Sequence, residues 1–150
     1  MADIQISGTL YVESGGRLIP LDTSVITGPQ GPRGLSTWQE VHTFAVQGAV
    51  GTATLPGFFV SAATGQTVKL AKARAKIGAG TSVSFRITRN GSDVTGFGTA
   101  GSPLRATTTA STTDPADVTL ASDDLIAVVV SAVAGSPTDL SVTVVLEMSL

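Results

Sequence analysis

Gln66-Thr67-Val68-Lys69-Leu70-Ala71-Lys72-Ala73-Arg74-Ala75-Lys76-Ile77 changes its hydrophobic parity in the middle. Val68 and Leu70 occupy one set of alternate positions. From Ala71 onward the apolar residues Ala71, Ala73, Ala75 and Ile77 occupy the other. Alternation with period two is the mark of a strand with one buried face, and a switch of parity without loss of alternation is what a β-bulge or sharp bend produces. The stretch therefore reads as a long strand bent near Leu70-Ala71, with Lys72, Arg74 and Lys76 together on the face away from the core.

The flanking sequence has the same rhythm. Gly78-Ala79-Gly80 predicts a hairpin turn into Thr81 to Arg89, where Val83, Phe85 and Ile87 face the core and Ser84, Arg86 and Thr88 face out. Asn90-Gly91 is a strong short hairpin signal leading toward a strand at Val94 to Phe97. Upstream, Trp38 to Val46 and Val50 to Val60 read as strands, the second broken near Pro56-Gly57. Downstream, Thr107-Thr108-Thr109 and Thr112-Thr113 mark short strands or loops, and Asp114-Pro115 turns into Val118 to Leu120. Leu125 to Val133 is apolar on both faces, as in a central strand covered on both sides; a strand at a subunit interface is the alternative. After the turn residues Gly135-Ser136-Pro137, Leu140, Val142, Val144, Leu146 and Met148 alternate with polar residues except at Val145. About eight strands with turn signals throughout and no helical periodicity predict an all-β fold, a β-sandwich of jelly-roll type over residues 37–150.

Composition agrees. The 150 residues are only 13% charged and 42% hydrophobic, with 17 glycines, a turn-rich β balance far from a helical or disordered one. A net charge of −2 argues against general nucleic-acid binding. With no cysteine, disulfides and thiolate metal sites are excluded. The N-terminus lacks the basic and apolar regions of a signal peptide, and no apolar run approaches the ~20 residues of a membrane-spanning helix. The expectation is a protein made in the cytoplasm, without membrane insertion.

Two segments precede the sandwich. Gly28-Pro29-Gln30-Gly31-Pro32-Arg33-Gly34-Leu35-Ser36 puts Gly28, Gly31 and Gly34 at every third position, with Pro29 and Pro32 after two of them. That is the pattern of a collagen triple helix, in which only glycine fits the crowded axis and proline presets the backbone. It predicts a trimeric stem over 28–36; an irregular linker is the plainer reading. In residues 1–27, Ile4, Ile6, Leu10 and Val12 alternate as one strand, and Arg17 to Leu21 returns as a second after Glu13-Ser14-Gly15-Gly16. A lone hairpin is marginal in water, so this element needs copies of itself or a larger body to dock onto. It reads as an attachment end, unless it merely completes the main domain.

The run Phe58-Phe59-Val60, Gly65 to Leu70, Val83 to Gly91, then Leu125 to Val133 and Leu140 to Leu146, resembles the jelly-roll domain of tailed-bacteriophage fibre proteins, which include minor tail and head-fibre or capsid-decoration proteins. With its short collagen-like segment the chain looks like structural proteins of phages with actinobacterial hosts. A collagen stem before a jelly-roll head is also similar to complement-type proteins, but those have longer stems and a secretion route. The phage resemblance implies a homotrimeric virion-surface protein, a minor tail or tail-tip fibre displaying its head for host attachment. Residues 1–27 would then anchor it to other virion proteins. Alternatives are a capsid decoration and a carbohydrate-binding module, the latter poorly served by Trp38 and Tyr11, the only Trp and Tyr.

Chemistry for an enzyme is scarce. The single histidine, His42, shares strand parity with Trp38, Glu40 and Phe44 and looks like an ordinary strand position rather than part of a triad. The acidic residues Asp114, Asp117, Asp123 and Asp124 do not follow calcium-loop spacing; turn chemistry accounts for them better than a weak calcium site. Gly96-Phe97-Gly98-Thr99-Ala100-Gly101 imitates a nucleotide loop but lacks a surrounding strand–helix unit. No catalytic residue, metal or cofactor is expected. Lys72, Arg74 and Lys76, joined by Arg86 on a neighbouring strand, are candidates for contact with an anionic surface such as host cell-envelope glycan; a solvated face kept charged to prevent sheet stacking is the bland alternative.

The stem reading has a direct check. Light scattering should give a mass of about 45 kDa, three times the 15.1 kDa chain, and Gly31→Glu should lower the trimer's melting temperature. A chain whose mass and melting ignore that substitution would reduce the triplets to a linker.

Overall fold

The computed structural model describes the backbone of residues 4–6, 9–14 and 17–21 and all of residues 36–150. The chain divides into two compact units, Met1–Leu35 and Ser36–Leu150. The collagen-like triplets, Gly28 to Leu35, lie outside the described residues.

The first unit holds three strands, β1 (Ile4–Ile6), β2 (Thr9–Ser14) and β3 (Arg17–Leu21), in one antiparallel sheet of order β1-β2-β3. The single strand expected from Ile4 to Val12 is thus two. Ile4 lies opposite Tyr11 and Ile6 opposite Thr9 in an antiparallel pair, not along one continuous strand. Three strands also suit a small unit better than the marginal two-stranded hairpin.

The second unit is a sandwich of two antiparallel sheets with no helix among the described residues. One sheet runs β10 (Leu104–Ala106), β8 (Ser82–Arg89), β13 (Leu125–Ala134), β5 (Ala53–Thr54), with β6 (Phe58–Phe59) also on β13 and β9 (Ser92–Asp93) on β8. The other runs β11 (Ser111–Thr113), β7 (Thr67–Lys76), β14 (Thr138–Ser149), β4 (Thr37–Ala49), with β12 (Val118–Leu120) also on β7. Most connections carry the chain from one sheet to the other, the wrapping of a jelly roll. The expected fold class holds. Each sheet contributes one apolar row: Val83, Phe85, Ile87, Ile126, Val128 and Val130 from one, Val68, Leu70, Ala73, Val142, Val144 and Leu146 from the other, all buried in one cluster.

The parity switch is a bulge. Along the β14–β7 ladder Val145 pairs with Lys72 but Leu146 pairs with Leu70, leaving Ala71 as the extra residue. It keeps Leu70 and Val68 inward below the bulge and Ala73 and Ala75 inward above it. β13 is central in its sheet, between β8 on one side and β5 and β6 on the other.

Two local expectations need correction. Gly78-Ala79-Gly80 does not close a hairpin, because β7 and β8 belong to different sheets; it carries the chain across the sandwich. The connection from β13 to β14 crosses beside it, with Ala79 bridged to Thr138 and the Thr81 N–H donating to Ala134 O at 3.1 Å. Space between these crossings is minimal: a Cβ on Gly80 would lie 2.8 Å from Pro137 N, and Gly80 has φ +95°. Val94 to Phe97 is also not a strand. Gly96 and Gly98 have φ of +83° and +88°, and the tight turn they allow drives Val94 and Phe97 into the core, where both are buried.

Gly80→Ala therefore forces both an unfavourable φ and a backbone clash. It should destabilise the protein by about 1–3 kcal/mol in a denaturant titration. Gly51→Ala, where the added methyl meets nothing within 4 Å, should stay within about 0.5 kcal/mol. Equal effects at the two sites would contradict the packed-crossover description.

Candidate functional site

The side chains with chemistry on them fall into three places. The first is the outer face of the β11-β7-β14-β4 sheet. β7 sends Lys69, Lys72, Arg74 and Lys76 outward because the opposite face is committed to the core. Lys69 Nζ stands 3.7 Å from Asp117 Oδ2, and Lys72 Nζ 3.7 Å from Asp114 Oδ2. Both pairs are well exposed, so each contributes little to stability. Arg74 and Lys76 are exposed and form no ion pair among the described residues. With Ala75, Ala110, Ser141 and Thr143 they line a shallow depression of about 180 Å³. Arg86 does not join this row. It lies on β8 in the other sheet, its Nε 2.7 Å from Asp93 Oδ1, so the basic patch is Arg74 and Lys76 with the two paired lysines beside them.

The second place is the acidic loop region. Asp114 and Asp117 are taken up by the lysine pairs just described. Asp124 is nearly buried and holds a clasp between two loops: Oδ1 accepts from Asn90 Nδ2 at 2.7 Å, Oδ2 accepts from the Ala121 N–H at 2.8 Å, and Arg89 Nε lies 4.0 Å away. Asn90 completes it, its Oδ1 accepting the Leu125 N–H at 2.8 Å and its own N–H donating to Leu125 O. Asn90, at φ 52°, and Asp123, at φ 69°, are turn residues whose conformation the clasp fixes. This is turn chemistry, and among the described residues no group of three or more acids and histidines could hold a metal ion. The clasp was missed in the sequence, where Asn90-Gly91 and Asp123-Asp124 each signal a turn and nothing marks them as partners.

The third place is the β4 edge. His42 faces inward, stacked on Phe58 with ring centroids 3.7 Å apart and planes 8° from parallel. Its Nε2 is 2.6 Å from Glu40 Oε1, outside hydrogen-bonding geometry. The imidazole acts as a flat packing surface closing the sandwich edge, beside Phe44, which contacts the same Phe58 ring. Trp38 is 40% and Val41 57% exposed on this strand.

No known protein family matches the chain, and no curated protein matches it. Among solved structures, the capsid asymmetric unit of cyanophage Pam1 aligns with a TM-score of 0.48 and 19% identity, over 82% of this chain and 91% of that chain. A likeness at that level bears on neither function nor location.

The clasp and the lysine pairs should respond differently to truncation. Asp124→Ala leaves the Asn90 side-chain amide and the Ala121 N–H without their acceptor and should cost about 2–4 kcal/mol. Asp114→Ala and Asp117→Ala should each cost less than about 1 kcal/mol. Thermal melts of the three variants check this.

Proposed function

We propose that the chain is a non-enzymatic structural protein of a tailed-phage virion, a homotrimer in which a small β-sheet unit anchors to the particle and the jelly-roll head is displayed outward. Within that role we favour a minor tail or tail-tip fibre that meets the host surface. The observation that carries the proposal is the order of parts: a three-stranded sheet, three Gly-X-Y triplets, then a complete sandwich with its own core. A collagen stem places three copies of whatever follows it side by side, which favours repeated weak binding over catalysis. The side chains support a display role as well. His42 is engaged in packing, the acids serve turns and ion pairs, and Arg74 and Lys76 with the Ser141 and Thr143 hydroxyls form an outward surface suited to an anionic envelope polymer.

Antibody raised against residues 36–150 and viewed on purified particles by electron microscopy tests the placement. Label at the tail tip is expected. Label over the capsid would replace the fibre reading with decoration, and particles without the protein would overturn the virion role. Adsorption tests the surface: Arg74→Glu with Lys76→Glu should weaken binding of the head to host cell walls about tenfold at low salt, with the difference shrinking as salt rises.

A further inference from the structure

We infer that the β4 edge is where one copy of the head meets the next, with β4 innermost and Val41 and Trp38 covered by a second copy of this chain. The inference rests on the trimeric reading of the triplets and adds to it the surface that would be buried.

β4 is unlike every other edge of the sandwich. The strands at the remaining edges have two or three residues each, short enough to offer little template for pairing. β4 has thirteen. It pairs with β14 on one side, and among the described residues no strand lies on its other side. Such an edge is normally protected by lysine, proline or inward charge. β4 has no lysine, arginine or proline, and its one charged protection is Glu40, on the inward-facing parity beside His42. The outer face beside it is equally bland. Val41, Thr43 and Ala45 on β4 lie opposite Val145, Thr143 and Ser141 on β14. The one charge on this face of β14 is Glu147, opposite Gln39 near the start of β4 and beside Lys69 of β7; the basic residues stand on β7, one strand further in.

Apolar exposure gathers on this edge. Of the five large hydrophobic residues that are exposed among the described residues, Trp38 and Val41 are on β4, and Leu150 follows Ser149, which pairs with Thr37. Trp38 is exposed because β4 overhangs its cover: β5 and β6 together supply four residues against its thirteen.

Chain connectivity names the occupant. Thr37, the first residue of β4, is three positions after Gly34, the last triplet glycine, and three steps of chain span at most about 11 Å. Three chains leaving a triple helix therefore begin their β4 strands within that reach of a common axis. No other element of the head is so constrained. Around a threefold axis the three β4 strands run in the same direction, so the contact is heterologous, the β4 flank of one copy against a different surface of the next.

The test is the mass of the full-length protein across a dilution series. Val41→Arg with Thr43→Arg, both on the exposed outer face, should raise the concentration at which the trimer half-dissociates about tenfold or more, with an unchanged circular dichroism spectrum. Val133→Arg, equally an exposed hydrophobic but on β13 in the other sheet, should leave the mass unchanged. A trimer that ignores the β4 substitutions overturns the interface and leaves the stem as the trimerising element. A trimer that survives Gly31→Glu but not the β4 substitutions supports the interface and removes the stem reading. A full-length monomer or dimer overturns both.

Discussion

The structure depends on one constraint: each of two sheets has a single apolar face, and the only way to remove both from water is to press them together. The rows from β13 and β8 meet those from β14 and β7, and the residues between them are essentially inaccessible. At roughly 1.5–3 kcal/mol for each large side chain buried, this is the dominant favourable term, and local features answer to it. The Ala71 bulge exists because Leu70 and Ala73 must both point inward although an odd number of bonds separates them from a common parity. Gly80 and Gly135 are required where the chain crosses between sheets, since the two crossings pass too close for side chains. Asn90 and Asp124 tie down the loops at which β8 ends and β13 begins.

What the core leaves over determines what the surface can do. Polar residues are spent mainly on holding turns and balancing charge. Its departures from a self-sufficient sandwich are the pair Arg74 and Lys76, without an ion pair among the described residues, and the long edge of β4, with Glu40 as its one acid. The two lie on the same sheet and serve different ends. The first is hydrated and positive, able to meet a polyanion without drying. The second is long and unpaired and exposes Trp38 and Val41. In the trimer proposed above, β4 would face the axis, with the basic row two strands away on the same sheet.

Much of the sandwich was legible because strand alternation is local. The bulge, the limits of β7, β8, β13 and β14, and the inward rows all follow from which residues recur at every second position. Sheet membership was not legible. Gly78-Ala79-Gly80 looks the same whether the next strand pairs beside the last or crosses to the other sheet, and this is why Arg86 was placed next to Lys72 although it lies across the core. The Asn90-Gly91 signal points to a return strand at Val94 to Phe97, but the hairpin closes with only Ser92 and Asp93 and the chain then turns into the core. The Asn90–Asp124 clasp joins residues 34 positions apart, beyond any local pattern. The exposed overhang of β4 arises from its length relative to β5 and β6, a property of two elements together.

The most direct measurement of the central claim, that the head is built to assemble through β4, is amide hydrogen exchange resolved along Thr37–Ala49 in the full-length protein. If a second copy covers that edge, the amides of β4 that point away from β14 should exchange as slowly as those that pair with it, and become fast when Gly31→Glu loosens the assembly. Fast exchange at every second residue of β4 in the intact protein, at the rate of a free sheet edge, would contradict the account.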